Sequence, residues 1–420
     1  MSTIVTGPGT ARQGMDFRPG LATSQWIGTA LITFGTFLSG FVIAEPAPYE
    51  LYMALIIGPW FILGLKLSRT TGALTALMLV YMTGGFLSLT QMHVLSGAPM
   101  YMAVSLFLAV TSVFYAAIIE QSPARLHMIF KAWVAAAVIT ALLGILGYFH
   151  AFPGAEIFTR YDRAMGAFQD PNVFGPFLIA PSLYLIHAIL TGRIAQLPLR
   201  AGALMIIAFG ILLSFSRAAW ALFVFSAAAF VLLMVIKERS GAFRLKVVVI
   251  ALAGLLVMVA ALAIALQFDS VTEMFSNRTR LVQDYDGARL GRFERHRIGF
   301  LMSMEHPLGI GPMVFSTIFP EDEHNIWLKN LTSYGWLGFL AYLAMLWTSL
   351  GLGLKYMFRS RPWQPFLMVA WVVLAGHAII GNVIDTDHWR HHYILFGVIW
   401  GCLALEHRLQ AGRRIPGMAA

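Results

Sequence analysis

The sequence has little charge. Only 12% of its 420 residues are Asp, Glu, Lys or Arg, and 58% are hydrophobic. A soluble domain carries about 25% charged residues and about 45–50% apolar ones. The charges sit in short clusters between long apolar runs, which excludes a water-soluble globule and points to a chain that crosses a bilayer repeatedly. Cysteine is nearly absent: Cys402 stands alone inside an apolar run, so no intramolecular disulfide can form. Period-two alternation is also missing, which excludes a membrane β-barrel and leaves helices, whose backbone groups pair within each segment. The N-terminal stretch from Met1 to Thr23 lacks the apolar core and cleavage site of a signal peptide, so the first span is expected to remain as an anchor. The formal charge of +9 comes from basic residues scattered through loops rather than gathered on one surface, which argues against nucleic acid as a partner.

The apolar runs predict an all-α polytopic membrane protein with about twelve transmembrane helices. They fall near 24–44, 49–65, 71–90, 98–119, 128–149, 172–190, 197–213, 218–236, 246–266, 326–351, 365–383 and 392–406. No segment is long and polar enough to form a separate soluble domain, so residues 1–420 read as one membrane domain. Alternate connections hold 18 of the 29 Lys and Arg residues: Arg12, Arg18, Lys66, Arg69, Arg125, Lys131, Arg193, Arg200, Lys237, Arg239, Arg244, Lys246, Lys355, Arg359, Arg361, Arg408, Arg413 and Arg414. That side is expected to be cytoplasmic, with both termini on it. The opposite short loops hold only Arg160, Arg163, Arg217 and Arg390.

The long polar loop 267–325 then lies outside. Six arginines run through it (Arg278, Arg280, Arg289, Arg292, Arg295 and Arg297), and EHN, Glu323 to Asn325, closes it just before an apolar run. A planar guanidinium donates in a fork that matches two phosphate oxygens, and it stays charged, so arginines at span ends suit a lipid-borne diphosphate at the membrane surface. Arg217 lies at the tip of a tight hairpin, SFSRAAW, Ser214 to Trp220. It either snorkels to lipid phosphate or binds a substrate. His324 has the chemistry of a base that takes a proton from a sugar hydroxyl, with Glu321, Asp322 and Glu323 nearby to stabilise the imidazolium. The same acids are equally ordinary first-turn or capping residues, and Asn325 either orients an acceptor or caps.

Other polar segments carry weaker signals. HPLGIGP, His306 to Pro312, lacks the strand–helix frame of a phosphate-binding loop and reads as a structural turn ahead of a ligand role for His306. In the loop 151–171, Gly166 and Pro171 disfavour a helix. The last external loop, NVIDTDHWRHHY from Asn382 to Tyr393, contains metal-ligand residue types, but its spacing matches no strong zinc motif, and an interfacial polar turn or acceptor-side surface is the preferred reading. His93, His187 and His377 read as packed helix residues. Trp26, Tyr49, Trp60, Tyr101, Trp363 and Trp389 read as an aromatic belt at the span ends.

Three stretches together resemble the O-antigen ligase and Wzy-type polysaccharide polymerase superfamily of bacterial inner-membrane glycosyltransferases. They are RAMGAFQDPNVFG from Arg163 to Gly175, SFSRAAW from Ser214 to Trp220, and GRFERHRIGFLMSMEHPLGIGPMVF through EHNIWL from Gly291 to Leu328. The resemblance spans roughly 155–350. It implies a metal-independent, inverting transfer of a glycan from undecaprenyl diphosphate on the periplasmic face, with no cofactor. By motif match, Arg163, Arg217 and Arg292 would bind diphosphate and His324 would be the base. Asp170 and Asn172 would shape the outer loop, and the tract 270–300 would form helices of a periplasmic cap. The expected site therefore comprises His324, Arg217 and Arg292 as catalytic residues, with Arg160, Arg163, Asp170, Asn172, Arg295 and Asn325 binding substrate and no metal. A ligase giving the glycan to lipid A–core is preferred over a polymerase giving it to the next lipid-linked repeat. A lipid-linked oligosaccharide flippase or other carrier remains open, although such a protein usually shows broken or charged helices near mid-membrane and internal repeats.

Overall fold

The computed structural model describes residues 19–238, 240–279 and 291–412. Arg12, Arg18, Arg239, Arg280, Arg289, Arg413 and Arg414, together with most of the stretch Met1 to Thr23, lie outside the described residues. Helices occupy all of the expected apolar positions. In chain order they are α1 (Pro19–Leu38), α2 (Pro48–Ile62), α3 (Arg69–Leu89), α4 (Ala98–Gln121), α5 (Arg125–Tyr148), α6 (Pro171–Phe177), α7 (Ile179–Thr191), α8 (Leu197–Leu213), α9 (Arg217–Lys237) and α10 (Gly241–Ala265). Two cap helices follow in the long loop, α11 (Asp269–Thr279) and α12 (Arg292–Glu305), with a single turn α13 (Phe315–Ile318). The last three are α14 (Ile326–Tyr356), α15 (Gln364–Ile380) and α16 (Arg390–Gln410). Among the described residues, eight helical segments are long and apolar enough to cross a membrane: α3, α4, α5, α6 with α7, α8 with its preceding turn, α9, α10 and α14. By the same measure α2, α15 and α16 fall short in length or apolarity, as does the part of α1 from Trp26 to Leu38.

The span expected at 172–190 is interrupted. Pro181 lacks the N–H that would bond the Phe177 carbonyl, and Trp133 Nε1 donates to that carbonyl instead at 3.2 Å. The loop before α6 contains a two-strand hairpin, β1 (Thr159–Arg160) paired antiparallel with β2 (Arg163–Ala164), turned by Tyr161 and Asp162 at positive φ. No α-helix forms there, in line with the glycine and proline content.

Small residues let helices approach closely, as membrane packing favours. A Cβ on Gly84 of α3 would stand 2.5 Å from the Gly338 nitrogen of α14, so those two backbones meet face to face. The core is centred on α4 and α16, where residues from Phe114 to Ile119 and from Tyr393 to Val398 are almost wholly buried. Of the expected aromatic belt, Trp26 is exposed, but Tyr49, Trp363 and Trp389 are buried among helices. Tyr101 donates to the Asp387 carboxylate. Tyr49, Trp363 and Trp389 thus lie inside the bundle rather than at its rim, which span-end position alone does not reveal.

α14 is broken at Gly335, whose φ is 63° and ψ −177°. The HPLGIGP turn fills the break. Trp336 N donates to Pro307 O at 2.9 Å, and Ile310 N donates to Thr332 O, the carbonyl that Trp336 would otherwise take, at 2.8 Å. A broken helix is a feature expected of carriers, but here the freed groups are satisfied by the chain's own turn. This seam anchors the end of the cap to the bundle. α12 lies along α14 with Arg295, Gly299 and Ser303 inward, and Trp336 Nε1 donates to Ser303 O at 3.0 Å.

Candidate active site

The cap and three helix starts line an open cavity of about 790 Å³. Arg163, Arg217, Arg292 and His324, drawn from four separate segments, all line it, as do Asp170 and Asn172. Each is set by a local device. Asp170 caps α6 by accepting the Asn172 N–H at 2.6 Å. Asn172 Oδ1 then accepts from Arg163 Nη2 at 2.8 Å, and Arg163 Nε donates to Ser214 O at 2.7 Å. Asp170 and Asn172 thus form a chain of contacts that ends on a buried arginine. Arg163 also ties this loop to the α8–α9 hairpin. Ser216 caps α9, so Arg217 stands in its first turn, and Trp220 Nε1 closes the hairpin by donating to Ile211 O at 3.0 Å. Arg292 opens α12 after Gly291.

His324 holds a φ of 47°, a left-handed conformation uncommon outside glycine. Its neighbours fix it. Asn325 N donates to Asp385 Oδ1 at 2.8 Å, and Ile326 N donates to Gly381 O at 2.7 Å. Burial, followed by the Arg292 charge, lowers the His324 pKa below its ordinary 6.5, with Glu321 and Asp322 opposing. The imidazole is therefore neutral at pH 7, the form a base requires. Asn325 caps α14, accepting the Leu328 N–H at 3.0 Å, so the cap is Asn325 rather than Asp322. Glu323 is turned away from the cavity: Lys329 Nζ lies 3.0 Å from Glu323 Oε2, and Thr332 Oγ1 donates to Oε1 at 2.6 Å. The acids left near His324 are Glu321, on the cavity wall, and Asp322.

Two of the expected substrate-binding arginines stand off the cavity. Arg160 is exposed, donates to Gln169 O at 2.9 Å and lies over the Tyr161 ring. Arg295 is buried beneath α12 and bonds Glu321 Oε2 at 2.6 Å, which holds the Glu321 carboxyl below its usual range. Asn325 likewise is spent on capping and on Asn382 O at 3.1 Å.

The cavity walls also include Arg278 from α11, Glu321, which the sequence placed near His324, and Val383, Ile384, Asp385 and Trp389 from the loop between α15 and α16. That loop is folded into the bundle. His388 bonds Ser105 Oγ at 2.8 Å, and His377 Nδ1 meets His392 Nδ1 at 3.0 Å. Among the described residues no three His, Cys, Asp or Glu side chains are arranged to hold a metal ion.

The fold and cavity describe a helical membrane protein whose long polar loop lines an arginine-rich pocket. Residues 202–343 match the Wzy_C family, described as O-antigen ligase, and the match supports the O-antigen ligase and Wzy-type superfamily for this chain. It runs from α8 into α14 and includes Arg217, Arg292 and His324. No curated protein matches the chain.

Proposed function

We propose that this cavity transfers a glycan from a polyprenyl diphosphate, undecaprenyl diphosphate in a bacterial inner membrane, to lipid A–core on the periplasmic face. The convergence of Arg163, Arg217, Arg292 and His324 on one cavity carries the reading. In this reading all twelve apolar segments cross the membrane, both termini are cytoplasmic and the cap is periplasmic. The family description favours a ligase over a polymerase.

The chemistry follows from the side chains. An acceptor hydroxyl oxygen attacks the anomeric carbon on the face opposite the diphosphate, so configuration inverts. The bond between that carbon and the phosphate oxygen breaks, and its electron pair leaves with the diphosphate. The guanidinium groups stabilise the charge that develops there. His324 takes the acceptor proton, and Glu321 and Asp322 stabilise the resulting imidazolium. Apolar Ile379, Ile380 and Val383 line another part of the cavity and give the polyprenyl chain an apolar wall.

The test is transfer by purified protein in detergent, given undecaprenyl-diphosphate-linked glycan with and without lipid A–core and with chelator. Glycan appearing on lipid A–core supports the ligase. A ladder of longer lipid-linked glycans without lipid A–core places a polymerase on the same site. No transfer to either acceptor defeats the glycosyltransferase reading in favour of a carrier.

A further inference from the structure

We infer that Arg278 is a further substrate-binding residue of this cavity, its guanidinium holding a phosphoryl oxygen of the substrate; this rests on the glycosyl-transfer reading above. Arg278 belongs to the last turn of α11, and its placement follows from helical spacing. Val271 is fully buried, and Met274 and Phe275 pack on the main core at i+3 and i+4 from it. Arg278 at i+7 shares that inward face. The Phe275 ring lies 5.8 Å from the Trp220 ring, and Trp220 stands in the first turn of α9 with Arg217. This ring pair brings the end of α11 to the start of α9, and Arg278 reaches the wall of the cavity that Arg217 also lines.

The surroundings of Arg278 differ from those of its neighbours in the cap. Arg295 is paired with Glu321, and Arg297 with Glu294 at 2.8 Å. Arg278 is half-buried and makes no hydrogen bond or ion pair with any described residue. A cation partly withdrawn from water is stabilised by an anionic ligand. The C-terminal end of α11 offers it only the weak attraction of a helix dipole. A guanidinium on a cavity wall fits phosphoryl oxygens in a fork. Two sources supply that chemistry, the donor diphosphate or a phosphate carried by the acceptor.

The experiment uses full-length protein in detergent with Arg278→Ala and Arg278→Gln, the latter keeping a polar stem if the former folds poorly. Donor and acceptor are varied separately, inorganic pyrophosphate binding is measured by calorimetry, and Arg297→Ala serves as the cap control. The expected result is a donor KM raised about tenfold or more, the scale of one lost charge-assisted hydrogen bond, with pyrophosphate affinity reduced in parallel and an unchanged melting temperature. An acceptor KM raised instead, with pyrophosphate binding intact, keeps the assignment and identifies the acceptor phosphate as the anion. Active wild-type protein with both KM values and pyrophosphate affinity unchanged in Arg278→Gln overturns the Arg278 assignment alone. Wild-type protein that neither transfers glycan nor binds pyrophosphate overturns the glycosyl-transfer reading and the Arg278 role with it.

Discussion

Replacing Gly335 by alanine tests how the cap is attached to the bundle. The residue sits at φ 63° and ψ −177°, a region occupied almost only by glycine, and strain there costs about 1–3 kcal/mol. A Cβ would stand 2.6 Å from the Leu308 carbonyl carbon and 2.7 Å from its oxygen, and both are backbone atoms that no rotamer change can move. Relieving that clash separates the turn from the helix and releases the bonds from Trp336 N to Pro307 O and from Ile310 N to Thr332 O. Each is worth about 1 kcal/mol net. The sum is about 3–5 kcal/mol, concentrated where the turn meets α14. Gly351→Ala in the same helix is the control, because a Cβ there meets nothing within 4 Å. A helical glycine-to-alanine change should stabilise by about 0.5–1 kcal/mol. Thermal and denaturant unfolding in detergent, with proteolysis of the cap, would read both. Gly335→Ala should unfold at lower temperature with early cleavage between α11 and α14, and Gly351→Ala should not. Equal stability of the two variants would refute the seam.

Three further outcomes follow from the site. Because the His324 pKa is lowered, the neutral base persists at pH 7 and is lost as pH falls through a value below 6.5, so kcat/KM should be flat at neutral pH and decline on the acid side with a midpoint below 6.5; a midpoint above 6.5 would contradict the placement of His324. Arg217→Lys should recover little of the transfer lost in Arg217→Ala, since an ammonium lacks the fork, and near-full recovery in the same assay would show that charge alone suffices. Lys329→Met should destabilise by about 3–5 kcal/mol by leaving buried Glu323 without its cation, and adding Glu323→Gln should restore part of that loss in denaturant unfolding.

The helices were legible because each is a long apolar run, and such a run has one stable backbone solution in lipid. The break between α6 and α7 follows from Pro181, but the group that takes the freed Phe177 carbonyl, a tryptophan N–H forty-four positions away, could not be read from the sequence. In the site, Arg217 and His324 stood out by position, one at a hairpin tip and the other at the entry to a helix. Arg160 and Arg295 carry the same chemistry, yet a carbonyl and Glu321 take them out of the cavity. Residue type marks what a side chain can bind; tertiary partners decide whether it is available. Asp385 shows the converse. In sequence it is one acid in a polar turn, and only the fold brings it against the Asn325 N–H, sixty residues away in the chain. Glu323 was misplaced for the same reason, since its partner Lys329 lies inside what reads as an apolar helix.

The central claim is that side chains from four segments act together on a diphosphate-linked glycan. The most direct measurement is in vitro transfer from undecaprenyl-diphosphate-linked glycan to lipid A–core by Arg217→Ala and His324→Ala, each purified with wild-type yield and melting temperature. Loss of a guanidinium aimed at developing charge should lower kcat by about 10²–10³, and loss of the base by about 10²–10⁴. Wild-type turnover in either variant, at matched protein level, would contradict the account.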